Sequence, residues 1–251
     1  MQDDGNTIQD RLSMQRYIFN PFSILMVIIL IVAVIILLPL LFLGLIGGAL
    51  TNLGFTWLQA IALIILILAG SLVNIPVTTL REEAPAPPQP PRGQFAPSLY
   101  EGMYRVQPPA KVTRIAVNVG GAVIPVLISL YLLYHTVAVE GDLLRLALAG
   151  VGVLAVAILT NRVARPIPGV GISTPFFIPP IAALVCGILL GGSGMGSVVI
   201  AYVSGTLGTL IGADLLNLNK MGGLGVPVVS IGGAGTFDGI FLAGIIAAFL
   251  A

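Results

Sequence analysis

Two aspartates stand in apolar sequence near the end of this 251-residue chain: Asp214 in Gly212-Ala-Asp-Leu-Leu-Asn217, and Asp238 in Ser230-Ile-Gly-Gly-Ala-Gly-Thr-Phe-Asp-Gly239. The remaining acidic residues, Asp3, Asp4, Asp10, Glu82, Glu83, Glu101, Glu140 and Asp142, fall in segments that read as water-facing. An ionisable group inside a bilayer costs roughly 2.5–3.5 kcal/mol on insertion scales, so its presence marks a functional site by default. Two nearby carboxylates in a low-dielectric site cannot both ionise. They share a proton, and one then acts as acid while the other activates water. The same groups could instead bind and release H⁺ or Na⁺, with glycine-rich backbone around them open to a solute. A third reading is structural: Asp214 caps a helix or pairs with Lys220, and Asp238 occupies a first helical turn where the dipole favours it. The sequence leaves all three open. Gly233, Gly235, Thr236 and Asn217 border the pair and are the nearest candidates for binding substrate or ion.

The elements that must position these groups are membrane helices. Hydrophobic residues make up 57% of the chain and charged ones 8%, against about 25% charged in soluble domains. Residues 17–80, 115–139, 146–161 and 166–213 carry no charge. Unbroken strings such as residues 24–38 fit no lumen-facing strand, so the class is an all-α polytopic membrane protein rather than a barrel. A net charge of +1 implies no nucleic-acid partner. The partners expected are the lipid bilayer and either a membrane-embedded peptide or a small solute or ion; the sequence is silent on oligomeric state. The single cysteine, Cys186, reads as a buried small hydrophobe. With one His and one Cys there is no zinc or haem spacing, no nucleotide-binding loop is present, and no cofactor is implied.

In chain order, residues 1–21 read as a polar arm and residues 22–80 as a two-helix membrane hairpin. Its spans are 22–46, kinked at Pro39, and 55–77, turning at Gly47–Gly54 because about twenty residues suffice for one crossing. Asn74-Ile-Pro76 reads either as a broken helix lining a polar pocket or as a frayed helix end. Residues 81–114 form a proline-rich linker, of which residues 84–98 are expected to be cut first by protease. Residues 115–251 make a five-helix domain with spans at 115–137, 143–160, 177–190, 197–216 and 235–251. Asn118 lies at the start of the first of these. His135, beside Tyr131 and Tyr134, reads as part of an interfacial aromatic belt. Residues 161–180, with five prolines, begin at Asn161 and include Pro175; they are either a re-entrant, cavity-facing segment or a loop. Ser204, Gly208 and Gly212 recur every four residues, a small-residue face for close helix packing. Asp214 lies roughly 200° round from Gly212.

Seven spans place ten of the eleven basic residues on the amino-terminal side, leaving only Arg145 opposite. The positive-inside rule then makes the amino terminus cytoplasmic and the carboxyl terminus external. On that topology the connection between Asp214 and Asp238 is cytoplasmic, and both carboxylates are expected to converge on one glycine-lined cavity open to that side.

Four motifs, Asn118-Val-Gly-Gly-Ala-Val-Ile-Pro125, Thr174-Pro-Phe-Phe-Ile-Pro-Pro180, the segment from Ser204 through Asp214 to Asn217, and Gly232-Gly-Ala-Gly-Thr-Phe-Asp-Gly-Ile-Phe241, resemble a prokaryotic membrane family known as domain of unknown function 1614. The resemblance implies a shared membrane fold over most of residues 20–251 and brings no activity. A second likeness is to the intramembrane aspartyl proteases of the presenilin and prepilin-peptidase group. It implies catalytic roles for Asp214 and Asp238. Thr236 and Phe237 separate the Gly-x-Gly of this chain from Asp238, and Ala213 stands where presenilin-type enzymes carry tyrosine.

Overall fold

A computed structural model describes residues 21–82, 111–167, 171–222, 226–233 and 239–251. The polar arm, the proline-rich stretch, and Gly235, Thr236 and Asp238 lie outside the described residues. Helix α1, Pro21–Asn52, continues through Pro39. Up to Gly44 it belongs to a unit of its own, in which Ile24 to Leu40 is apolar and exposed on nearly every side. Such a stretch is suited to lipid.

Residues Leu45–Ala251 form the second unit. Gly54, at φ 90°, turns the chain into α2, Trp57–Gly70. There Thr56 Oγ1 accepts from the Gln59 amide while Gln59 Oε1 accepts from the Thr56 amide, a reciprocal cap on the first turn. After α2 come β1, Asn74–Glu82, and β2, Lys111–Asn118; a π-helical turn, Val119–Val123, leads into α3, Ile124–Ala138, and α4 follows at Leu143–Val163. A hairpin of β3, Arg165–Ile167, and β4, Gly171–Ser173, precedes α5, Ile178–Gly191. Helix α6, Met195–Thr209, runs into a second π-turn, Leu210–Asp214, a 3₁₀ turn, Leu215–Asn217, and the short α7, Leu218–Met221. Strand β5, Val228–Ile231, and α8, Gly239–Leu250, end the chain.

The protein is therefore mostly helical, but the all-α expectation fails at two places. β1, β2 and β5 form one sheet, with β1 antiparallel and β5 parallel to β2, and β3–β4 form another. Asn74-Ile-Pro76, read above as a broken or frayed helix, begins an edge strand. Pro76 is tolerated there because β1 pairs on one side only, next to a register shift between Pro76 and Thr78. Residues 115–118, read as the start of a span, are the end of β2. The β-branched content of Val77-Thr-Thr79 and of Val112-Thr-Arg-Ile115 fits pleated strands better than helix. Within residues 161–180, α4 runs on to Val163, Pro166 lies in strand β3 of a two-stranded hairpin, and Pro179 and Pro180 open α5.

Helix α6 is the centre of the second unit and packs on α4, α5 and α8. The small-residue stripe does what its spacing predicts. A methyl group on Gly208 would come within 2.7 Å of the Val156 side chain, and one on Gly212 within 2.3 Å of the Ala157 carbonyl, so α4 and α6 touch almost backbone to backbone. On another face Gly205 approaches the Ala243 carbonyl of α8 as closely, at 2.8 Å.

Two ends of this unit are distinct. At one, Ile115, Ala122, Met221, Val229, Ile231 and Ile240 form a core cluster, with Leu80, Ile172, Leu210 and Leu218 against it. Both sheets, α7 and the entry to α8 gather there, together with Arg114, Arg162, Arg165 and Lys220. At the other end His135 Nδ1 lies 3.3 Å from Glu140, which also pairs with Arg145, and Asp142 caps α4 by accepting from the Arg145 amide at 2.8 Å. Gly54, Tyr131 and Met195 line a small cavity beside His135, and Gly196 meets the Arg145 side chain. From α2 onward the long helices run alternately between these ends.

Four helical stretches are long and apolar enough to cross a membrane, namely Ile24–Asn52, Val119–Ala138, Leu143–Val163 and Met195–Met221. Trp57–Gly70, Ile178–Gly191 and Gly239–Leu250 are apolar but shorter. At 1.5 Å per residue each falls short of a hydrocarbon core of about 30 Å. Reporter fusions are expected to place residues 83–110 and 222 in the cytoplasm and residues 141 and 193 outside. A cytoplasmic carboxyl terminus would contradict seven crossings.

Candidate functional site

Asp214 closes the π-turn of residues Leu210–Asp214. A π-turn widens the helix by one residue and displaces carbonyls from their usual amide partners; such bulges recur at functional sites. Here two side-chain amides take up the displaced acceptors. Asn217 Nδ2 donates to the carbonyls of Gly212, at 3.1 Å, and Ala213, at 2.9 Å, while Asn161 Nδ2, from α4, also donates to Gly212 at 3.1 Å. Lys220 Nζ in turn donates to Asn217 Oδ1 at 2.8 Å. Asn217 is buried and Asp214 half-buried. Gly212 permits the arrangement, because only a residue without Cβ fits against Ala157 at this depth.

Thr160 precedes Asn161 on α4 and Thr209 precedes the π-turn on α6; both are buried, and neither hydroxyl has a hydrogen-bond partner among the described residues. Because α4 meets α6 at Ala157–Gly212 and Val156–Gly208, both threonines lie within about one helical turn of Gly212. Buried polar groups are normally satisfied, so each of these two hydroxyls calls for a partner such as a water. Asn217→Leu removes two donors from the turn and is expected to cost about 1–3 kcal/mol of stability, with Asn161→Leu costing less because Asn217 still serves the Gly212 carbonyl. Thermal unfolding in detergent measures both.

A second polar group lies where the parallel strands β2 and β5 end. Asn118, 1% exposed, donates from Nδ2 to the Ser71 carbonyl at 2.8 Å and to Asn74 Oδ1 at 3.1 Å, and its Oδ1 accepts the Gly121 amide at 2.8 Å. Ser230 Oγ donates to the same Asn74 Oδ1 at 2.6 Å. Asn118 thus ties α2, β1 and the first π-turn together. Gly233 follows β5 and packs on Ser230 and Asn118, in space that a methyl group would share with Ser230 Oγ at 2.2 Å.

Of the residues singled out in the sequence, Asp214, Asn161 and Asn217 come together at one turn, and Asn118 and Gly233 meet at the strand ends. Pro175 lines a separate cavity with Arg162 and Arg165. Gly239, which follows Asp238, comes within 4.0 Å of Thr174 in the sense that a methyl group there would touch its hydroxyl. Thr160 and Thr209 escaped notice in the sequence, since a threonine in an apolar helix usually returns its hydroxyl to the preceding turn, as Thr136 does to the Leu132 carbonyl. Their signal is positional: each immediately precedes a residue of the widened turn or its amide partner.

No curated protein and no solved structure matches this chain. One family model does, over residues 68–250, and it is described as a protein of unknown function (DUF1614).

Proposed function

The chain belongs to the DUF1614 family, and on that premise and the chemistry of the Asp214 turn we propose that it is a multi-pass protein of the cell membrane that couples H⁺ or Na⁺ to movement of a small solute, with Asp214 as the cation-binding group. One observation supports this reading: Asp214 closes a widened turn of the central helix, and the hydroxyls of Thr160 and Thr209, on the two helices that pack together at that turn, have no hydrogen-bond partner among the described residues. Hard cations are held by oxygen ligands, and in membrane transporters unwound backbone carbonyls next to a carboxylate supply them. The short helices α2, α5 and α8 and the strands between them fit the same reading, because irregular backbone near a membrane is tolerated where it lines a polar cavity. Asp238, Gly235 and Thr236, which lie outside the described residues, belong to the proposal by their place in the sequence alone.

A second reading is a peptidase in which Asp214 and Asp238 share a proton. The exposed edge of β1 favours it, since an extended peptide can add to an unpaired strand. Reconstituted vesicles separate the two. The transport reading expects solute uptake that depends on a pH or sodium gradient and disappears in Asp214→Asn, with no cleavage of a co-reconstituted single-span peptide. Cleavage by the wild type that is lost in both Asp214→Asn and Asp238→Asn would overturn it.

A further inference from the structure

Between the end of α4 and the start of α5, the β3–β4 hairpin leaves a cavity of about 480 Å³. Arg162 and Arg165 line it with Ser173, Thr174, Pro175 and Ile178. Strand pairing sets Arg165 opposite Ser173. Both arginines are exposed, and among the described residues neither is in an ion pair, nor does any carboxylate line the cavity. Two guanidinium groups beside one cavity without a counter-charge repel each other, and an anion relieves that repulsion. Guanidinium forks match phosphate oxygens two at a time, and the Ser173 and Thr174 hydroxyls offer further donors.

The residues that follow Pro175 along the chain and flank the lining residue Ile178 are of opposite character. Phe176, Phe177 and Ile181, on the α5 side, are 51%, 68% and 57% exposed, and the two phenylalanine rings meet edge to face with centroids 4.9 Å apart. Exposed aromatics next to cationic side chains are the signature of the membrane–water boundary, and basic pockets at helix ends on the cytoplasmic side take anionic lipid head groups. We infer that this pocket binds the phosphate of an anionic phospholipid, held by Arg162 and Arg165, with the acyl chains lying over Phe176, Phe177 and Ile181. A soluble phosphate shares the head-group chemistry but leaves the neighbouring exposed apolar residues without a role. The inference is independent of the Asp214 site, because it uses none of the same side chains.

The test is lipid binding to the purified full-length chain, with phosphatidylglycerol, phosphatidylcholine and inorganic phosphate each titrated in detergent and followed by native mass spectrometry and by thermal stability. Phosphatidylglycerol is expected to bind and raise the midpoint, whereas phosphatidylcholine is not. Arg162→Gln and Arg165→Gln are each expected to weaken binding about fivefold, and the double variant about thirtyfold, with midpoints in the absence of lipid unchanged because both side chains are exposed. Arg162→Lys/Arg165→Lys, which keeps the charge, is expected to recover part of the affinity but not the full value, because lysine lacks the fork. Equal stabilisation by inorganic phosphate would overturn the lipid assignment. Unchanged phosphatidylglycerol binding in the double glutamine variant, or equal binding of the zwitterionic lipid, would overturn the site.

Discussion

Gly121→Ala is expected to destabilise the protein by about 3 kcal/mol or more, the upper range for a forced methyl group in packed surroundings. The new carbon would fall 1.9 Å from the carbonyl oxygen of Gly232, which is backbone and cannot rotate aside. Relief requires the π-turn after β2 to move away from the turn after β5. That movement strains the Asn118 contacts to Ser71, Asn74 and the Gly121 amide, and it lifts Ala122 out of the core cluster of the basic end. For a chain of this size the loss corresponds to roughly 6–12 °C in the unfolding midpoint. Gly150 provides the control. It lies in α4 with nothing within 4 Å of a methyl group, so Gly150→Ala is expected to be neutral or to stabilise by about 0.5–1 kcal/mol. Equal midpoints for the two variants would refute the close crossing of the glycine turns.

The helices were legible because bilayer chemistry is written in composition: charge-free stretches longer than one crossing must fold back, and all seven expected spans contain a helix. The stripe of Ser204, Gly208 and Gly212 likewise declared its packing face through spacing alone. The sheet was hidden by its neighbours. β1 continues an apolar run and β2 opens one, so their β-branched residues read as helix ends, and their pairing joins segments far apart in sequence. The parallel pairing of β2 with β5 is longer in range still. It has an echo in the text, Val117-Asn-Val-Gly-Gly-Ala122 against Val229-Ser-Ile-Gly-Gly-Ala234, which becomes meaningful once Asn118 and Ser230 are seen to reach the same Asn74 side chain. At the Asp214 turn, residue types suggested chemistry but not geometry. The span read at 197–216 implies a regular helix through Asp214, and only the three-dimensional packing of Gly212 on Ala157 reveals the π-turn and its amide partners. The separation of Asp214 from Asp238 concerns residues of which the second lies outside those described, so the pair stands as a proposal.

Asp214→Asn is expected to leave the fold in place and remove cation coupling. The amide is isosteric with the carboxylate, and the hydrogen bonds from Asn161 and Asn217 go to the Gly212 and Ala213 carbonyls, so those ties of the turn do not depend on the charge at position 214. What is lost is the negative charge, without which the turn is expected to hold a cation far more weakly. Thr160→Val and Thr209→Val remove neutral ligands and are expected to weaken cation affinity by a smaller factor, on the order of tenfold each, about what a hydrogen-bond-strength contact contributes.

The most direct measurement is electrometry on reconstituted vesicles adsorbed to a solid support, with rapid jumps in Na⁺ concentration or pH and no added solute. A cation entering a site within the membrane moves charge and gives a transient current even when the transported solute is unidentified. The wild type is expected to give a saturable transient to at least one of the two cations, reduced at least tenfold in Asp214→Asn at equal protein density. A transient of the same size and saturation in Asp214→Asn, or none in the wild type for either cation, would contradict the assignment of Asp214 as the cation-binding group.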